Sequence, residues 1–185
     1  MDIQEAIKTR RTAHTWLPET VPGNVIQRGL EAAHWAPCHR LTWPWRFTLP
    51  GPAARSALFE VGVRLKAAKT GNEPTEAFRS GLASKLLNPA LVVAGQLLSD
   101  DPVRMEEDYA ACACAIQNLC LSVRADGYHS KWSTGKLTKD EETYRILGIS
   151  PEEERIIGFV WIGVPARVPS APKRPGLELH VRTLP

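Results

Sequence analysis

A run of small apolar residues lies in the second half of the chain: Ala110-Ala111-Cys112-Ala113-Cys114-Ala115. It belongs to the longest helical pattern of the sequence, which starts at Pro102 and ends before Asp126-Gly127. Because the run is apolar on every side, it predicts a helix that is buried all round. Its small side chains would also let other helices approach closely. The stretch therefore predicts a helix that the rest of the fold covers.

Three apolar segments around this helix predict strands, at residues 45–49, 90–94 and 156–162. The second and third are apolar on both faces, which favours central positions in a sheet. Shorter helices are predicted at residues 2–10, 22–36, 53–69, 76–87 and 139–147. No repeat or linker interrupts the order of elements. The sequence therefore predicts a single α+β domain over residues 1–185.

Composition and charge exclude several classes of protein. The chain has 185 residues, of which 43% are hydrophobic and 23% charged, so it can form a well-packed core. A net charge of +3 is too small to indicate nucleic acid or an anionic membrane as a partner. The longest apolar run is shorter than a membrane span, and the N-terminus does not resemble a signal peptide. We therefore expect a cytoplasmic protein.

The four cysteines do not predict a metal site. Three of them, Cys112, Cys114 and Cys120, share one apolar helical pattern and are interpreted as small buried hydrophobic residues. A tetrahedral zinc site needs four ligands, and nothing at suitable spacing completes the Cys-x-Cys pair. The sequence predicts neither structural zinc nor a disulfide framework.

A basic group follows the first predicted helix. Arg10, Arg11 and Thr12 offer many hydrogen-bond donors with no competing acid, a combination that suits a phosphate group. The alternative is an ordinary basic helix end, favoured by the helix dipole. The residues alone leave both interpretations open.

Two further segments could contact a flat ligand. Residues 37–47 are dense in Trp, His and Arg, and residues 127–135 combine glycines with Ser133 and Thr134. Neither segment is a glycine-rich dinucleotide motif or a P-loop. No arrangement of nucleophile, base and acid appears, which argues against a hydrolase.

Taken together, these segments resemble the nitroreductase family of flavoproteins, in particular its small, single-domain subgroup. The segments that carry the resemblance are Ala6-Ile7-Lys8-Thr9-Arg10-Arg11-Thr12, Leu30-Glu31-Ala32-Ala33-His34-Trp35-Ala36-Pro37, Trp43-Pro44-Trp45-Arg46-Phe47, Ala115-Ile116-Gln117-Asn118-Leu119 and Ile157-Gly158-Phe159-Val160-Trp161-Ile162-Gly163-Val164-Pro165. The resemblance implies a nitroreductase-like fold, with a central, mostly antiparallel sheet flanked by helices. It also implies an intertwined homodimer whose C-terminal arms are exchanged between subunits.

The same resemblance implies an FMN site at the dimer interface. Arg10, Arg11 and Thr12 would hold the phosphate and ribityl oxygens. The isoalloxazine ring would be lined by Trp132, Ser133 and Thr134. Trp35 and His39 would contact the flavin from the other subunit.

The function implied is an FMN-dependent oxidoreductase. It would use NAD(P)H to reduce FMN and then reduce a small-molecule acceptor, such as a nitroaromatic or a quinone, by a ping-pong mechanism. Because the flavin performs the redox chemistry, no catalytic side chain and no metal ligand are assigned. Two alternatives stay open: a related flavoenzyme with a non-nitro substrate, such as a dehydrogenase or reductive dehalogenase, and a flavin-binding protein without turnover. Bulky Trp35 and Trp43 motivate the first alternative.

Overall fold

The chain forms an antiparallel four-stranded sheet with helices on both faces. The strands are β1 (Trp45–Thr48), β2 (Ala90–Leu97), β3 (His129–Ser133) and β4 (Glu154–Gly163), in the spatial order β1-β2-β4-β3. The structure is a computed structural model that describes residues 1–71 and 73–184. The C-terminal residue of the predicted domain, Pro185, lies outside the described residues.

Among the described residues, six α-helices pack around the sheet, two of them before β1 and four between strands. They are α1 (Ile3–Thr9), α2 (Gly23–His34), α3 (Pro52–Thr70), α4 (Glu76–Leu86), α5 (Pro102–Ala125) and α6 (Glu141–Leu147). The predicted helices and strands are present with ends shifted by a few residues, and this architecture confirms the predicted α+β class. Within the described residues, no helix is long and apolar enough to cross a membrane.

Alternation along the two central strands builds a core on each face of the sheet. In β2, Val92 and Ala94 face α2 and α5, whereas Leu91 and Val93 face the opposite cluster. In β4, Val160 and Phe159 divide between the two cores in the same way. Burial on both faces explains why these strands are apolar without alternation, as predicted.

The prediction that the stretch 110–115 is buried all round is wrong for a single chain. Ala111, Cys112 and Ala115 are buried against the sheet and α2, but Ala110 and Cys114 are exposed. The physical reason is that α5 lies in an outer helix layer, so only one side of it packs on the chain's own core. The interpretation of Cys114 as a buried residue is wrong for the same reason, while Cys112 and Cys120 are buried as predicted.

The strand β3 was not among the predicted strands. It pairs with the second half of β4, from Ser133 opposite Phe159 to His129 opposite Gly163. The segment 129–133 is rich in polar residues because β3 is an edge strand with one partner. This strand brings the end of α5 back to the sheet and defines the edge where the predicted site residues lie.

Residues 165–184 form no regular element except a short 3-10 turn at Leu177–Leu179, and nearly all of them are exposed. The tail is fastened to the chain at its start, where Pro165 bridges Trp16 and the Ala166 amide donates to Thr15 O at 3.0 Å. Its exchange between subunits stays a prediction.

Candidate functional site

The basic segment at the end of α1 lies along the edge strand β3. Asp2 caps the helix by accepting a hydrogen bond from the Glu5 amide at 2.9 Å, and Arg10 turns into an extended conformation where the helix ends. Thr12 then forms a parallel bridge with Ser130, and the Ala13 amide donates to Ser130 O at 3.3 Å. The chain thus holds residues 10–12 beside the first residues of β3.

Three arginines, Arg10, Arg11 and Arg124, lie close together here, and none has an acidic partner among the described residues. Arg11 Nη1 donates to the carbonyl oxygens of Lys8 and Arg10, both at 2.7 Å, and Arg124 Nε donates to Thr9 Oγ1 at 3.1 Å. Within residues 1–71 and 73–184, none of the three guanidinium groups has a carboxylate within 4.0 Å, although other arginines of the chain do. The end of α1 is therefore a positively charged site with uncompensated donors.

Two buried polar atoms next to these arginines have no partner. They are Nδ1 of His129 and Oγ of Ser130, and neither is hydrogen-bonded within the described part of the chain. Burial lowers the pKa of His129, and the charges of Arg124 and Arg11 lower it further, so the imidazole is neutral near pH 7. Both atoms are closed off from solvent, and their neighbours include the Cys120 thiol beside Ser130 and the Arg11 backbone beside His129.

Trp132 and Ser133 are fixed against β4. Trp132 Nε1 donates to Ile157 O at 3.2 Å, and its ring fills the space over Gly158, where a Cβ would lie only 2.0 Å from Nε1. Ser133 Oγ accepts a hydrogen bond from Trp161 Nε1 at 2.9 Å. Both side chains are therefore held rigidly by the sheet.

Thr134 follows β3, is exposed, and lines a cavity of about 450 Å³. From the arginine end of β3 to this cavity the strand advances four residues, which is roughly 13 Å at about 3.3 Å per residue. The edge thus carries a cationic, polar end and an open end with Trp132 and Thr134. Six of the eight predicted cofactor-binding residues lie along it: Arg10, Arg11, Thr12, Trp132, Ser133 and Thr134.

Trp35 and His39 lie elsewhere. Trp35 ends α2 and is 86% exposed. Together with Ile3 and Asn118 it lines another cavity, of about 400 Å³, which shares no lining residue with the cavity at Thr134. His39 Nε2 lies 3.8 Å from Glu107 Oε1 on α5. Neither has a hydrogen bond, ion pair or ring contact with residues 10–12 or 132–134 in the described structure. Their predicted contact with a flavin of the other subunit stays a prediction.

The loop that carries His39 is strained. Arg40, Leu41 and Trp43 all have φ near +50°, a region that non-glycine residues rarely adopt. The loop is held by Thr42, whose hydroxyl donates to the buried carboxylate of Asp108. Such strain is common at ligand-contacting loops.

The sequence analysis selected the segment 127–135, which contains His129 and Ser130, but it did not predict that these two residues or Arg124 lie beside Arg10 and Arg11. Arg124 looks like an ordinary basic residue in the last turn of a helix. His129 and Ser130 carry no motif, and only the pairing of β3 with residue 12 shows that they lie beside the arginines. No group of three or more potential metal ligands occurs in the described chain.

Comparisons with known proteins agree with this architecture. The family model described as the nitroreductase family matches residues 7–164. A Bacillus subtilis protein named "Putative NAD(P)H nitroreductase YfhC" is 30% identical over 176 residues, which are 93% of this chain and 89% of the relative.

Two solved structures extend the comparison to the fold. The nitroreductase-like family protein from Bacillus cereus aligns with a TM-score of 0.84 at 23% identity, covering 100% of this chain and 96% of the other. The nitroreductase with bound FMN from Bacteroides fragilis aligns with a TM-score of 0.72 at 22% identity and covers both chains completely. These likenesses show the nitroreductase-like fold. Because the family model matches most of the chain, and a 30% identical relative matches nearly all of it, this protein belongs to the nitroreductase family.

Proposed function

We propose that the chain is an FMN-dependent oxidoreductase that uses NAD(P)H to reduce FMN and then reduces an acceptor such as a nitroaromatic or a quinone. The proposal is supported by the family, by the name of the B. subtilis relative and by the B. fragilis nitroreductase solved with FMN. The observation that carries it is the row of cationic and polar groups along the β3 edge.

The residues present fit FMN. A phosphate monoester is an anion with several acceptor oxygens, and Arg10 and Arg11 supply charged donors that no carboxylate of the described residues neutralises. We therefore assign Arg10, Arg11 and Thr12 to the phosphate and ribityl oxygens, with Arg124 as an additional source of positive charge.

The chemistry that FMN supplies when bound is two-electron redox, with reduction by NAD(P)H in one half-reaction and reoxidation by the acceptor in the other, the ping-pong scheme. The chain itself binds and orients. Trp132 and Ser133, fixed on β4, give a rigid wall for the ring, and Thr134 adds a hydroxyl at the open end. None of these roles requires a protein nucleophile or a general base.

We further propose that the active form is a homodimer. The side of α5 that carries Ala110 and Cys114 is exposed, and so is the large indole of Trp35. A second copy packed on this side would cover them and could bring its own Trp35 and His39 to the flavin. All four cysteines are free thiols, which suits a reducing compartment, and we assign the protein to the cytoplasm.

The test is anaerobic mixing of the FMN-loaded protein with NADH and with NADPH. After mixing, an oxidoreductase should lose the absorbance of oxidised flavin within about the time of one turnover. It should regain this absorbance when an acceptor is added. A protein that binds FMN without turnover would stay oxidised with both nucleotides, and that result would overturn the proposal.

A second candidate is a related flavoenzyme whose substrate is not a nitro compound, in a dehydrogenation or a reductive dehalogenation. The observation that favours it is the cluster of bulky rings in which Trp43 lies 5.8 Å from Trp45 and 6.1 Å from His34. A screen of nitroaromatics and quinones separates the candidates. Fast turnover of these acceptors supports the first, whereas reducible flavin with slow turnover of all of them supports the second.

A further inference from the structure

A pair of adjoining cavities lies at the open end of the site, where the first residues of β4 pair with β2 but not with β3. The edge strand β3 pairs only with Phe159–Gly163, so the first residues of β4 are free on that side in the described structure. The first cavity, of about 450 Å³, contains Thr134, and the second, of about 580 Å³, lies against α6. Both volumes are within the range of small-molecule sites.

Two cations stand where the cavities meet. Lys139, Arg155 and Ile156 line both of them. Within the described residues, neither Lys139 nor Arg155 has a carboxylate within 4.0 Å, whereas the neighbouring acids Asp140 and Glu142 are paired with Arg64 and Arg145. The remaining acids on the cavity walls, Glu106 and Glu141, are exposed. The junction is therefore a place of positive charge.

Arg155 is held in position by a buried amide. Gln96 has no exposed surface, and its Nε2 donates to Met105 O at 2.8 Å. Its Oε1 accepts a hydrogen bond from Arg155 Nη2 at 2.7 Å, and the guanidinium lies 5.6 Å from the centre of the Tyr109 ring. A fully buried glutamine with both ends bonded fixes the arginine, and the donors that Gln96 does not use are left for a ligand.

The walls around the two cations are largely apolar and aromatic. Tyr109 and Ile157 line the first cavity, and Tyr144, Ile149 and Pro151 line the second. Tyr144 is itself anchored, because its hydroxyl accepts a hydrogen bond from the Ile156 amide at 2.9 Å. A ring with an acidic substituent matches such a site, since the ring can pack on these walls while the acid contacts the cations.

We propose that these cavities bind the electron acceptor and select aromatic acids, whose carboxylate lies between Lys139 and Arg155. This inference rests on the proposed function, because Thr134 joins the first cavity to the segment assigned to the flavin ring. It names the substrate class of that site: a reducible aromatic compound with an anionic group.

The test compares 4-nitrobenzoate with nitrobenzene, which differ only by the carboxylate. The variants are Lys139→Met, which removes an exposed charge that has no carboxylate within 4.0 Å in the described part of the chain, and Arg155→Lys, which keeps the charge and loses the planar guanidinium group. Lys69→Met, on α3 and outside both cavities, is the matched control. Binding of 4-nitrobenzoate, of nitrobenzene and of unreactive benzoate is measured by calorimetry, and KM is measured with the FMN-loaded enzyme.

We expect wild type to bind the acid about tenfold or more tightly than nitrobenzene, as a charge-assisted contact implies. Lys139→Met should weaken acid binding about tenfold and raise its KM to match, while nitrobenzene changes by less than about twofold. The control should match wild type. Equal affinity for the two compounds in wild type, or unchanged acid binding in Lys139→Met, would overturn the inference and leave the proposed function standing.

Two other outcomes separate a failure of the proposed function from a failure of this inference. If the protein does not retain FMN, the proposed function fails, yet calorimetry on the same protein still decides the site, since selective acid binding supports it and its absence overturns it. If Lys139→Met raises the KM of NADPH but not that of the acid, the cations serve the nucleotide phosphates, and the assignment to an acceptor is wrong.

Discussion

Arg10 is the residue on which the phosphate assignment depends most. It leaves α1 in an extended conformation, and within the described chain no carboxylate neutralises it. Replacing it by alanine should weaken FMN binding by about 1.5–3 kcal/mol, the range for a hydrogen bond to a charged group. Fluorescence titration of the flavin-free protein measures this change. Arg64→Ala removes the same charge from an exposed ion pair with Asp140 and should leave the affinity unchanged. Equal affinities of wild type and Arg10→Ala would mean that the phosphate lies elsewhere.

His129 should make the flavin-free protein sensitive to acid. Burial lowers its folded-state pKa below the value of about 6.5 in the unfolded chain, and Arg124 and Arg11 lower it further. Between these two pKa values the unfolded state binds more protons, so this residue's contribution to stability is lost as the pH falls below about 6.5. Urea unfolding at about pH 7.5 and about pH 5.5 should show a smaller loss for His129→Gln than for wild type. The exposed His14→Gln variant should behave like wild type, and equal losses in all three proteins would show that His129 does not titrate in this way.

For single residues, the sequence predicted the chemistry of the phosphate site but not all of the residues that lie beside it. Arg10, Arg11 and Thr12 could be selected because donors without acids suit a phosphate. Arg124, His129 and Ser130 could not, because their proximity depends on a pairing between residues far apart in the chain. The role of Arg155 was likewise invisible, since it depends on Gln96, a polar residue within an apolar strand.

Among the elements, β3 and β4 pack closely where Trp132 meets Gly158. The indole of Trp132 occupies the space over Gly158, so an added methyl group would collide with it. Gly158→Ala should lower the free energy of unfolding by about 1–3 kcal/mol and displace the indole of Trp132. Urea unfolding and tryptophan fluorescence check both effects. Gly81→Ala, on α4 with open space around it, should be neutral or stabilising by up to about 1 kcal/mol. Unchanged stability of Gly158→Ala would contradict this packing.

The helix α5 carries the prediction about assembly. Its inner side packs on the sheet, and its outer side exposes Ala110 and Cys114. If a second copy covers this side, Cys114→Arg should place an unpaired charge in the interface and give a monomer, whereas Cys114→Ser should remain a dimer. Light scattering after size-exclusion chromatography reads the mass directly. A wild-type protein that is already monomeric, or a dimer that tolerates the arginine, would contradict the proposed interface.

The helices and strands also show which elements the hydrophobic pattern of the sequence predicts correctly. β2 and β4 were predicted because strands buried on both faces are apolar throughout. α5 was predicted as a helix because of the length of its pattern and its end at Asp126-Gly127. The prediction that it is buried on all sides was wrong for a single chain, because composition does not tell which partner covers a helix face. β3 was missed because an edge strand is half polar and short.

For the whole molecule, the layered architecture explains how distant segments form one site. The sheet order β1-β2-β4-β3 places β3 at an edge, and the segment after α1 runs beside it. One end of that edge is cationic and the other opens into the adjoining cavities. This arrangement could not be read from the sequence, since no local motif specifies the strand order; the family resemblance implied it only in outline.

Whether this edge holds FMN is tested most directly by an absorbance spectrum of purified protein that has been incubated with FMN and desalted. We expect bands at about 370 and 450 nm, the signature of a bound oxidised flavin, at a stoichiometry of about one per chain. A colourless protein that retains no FMN would contradict this expectation, because the nitroreductase fold would then be present without its cofactor site.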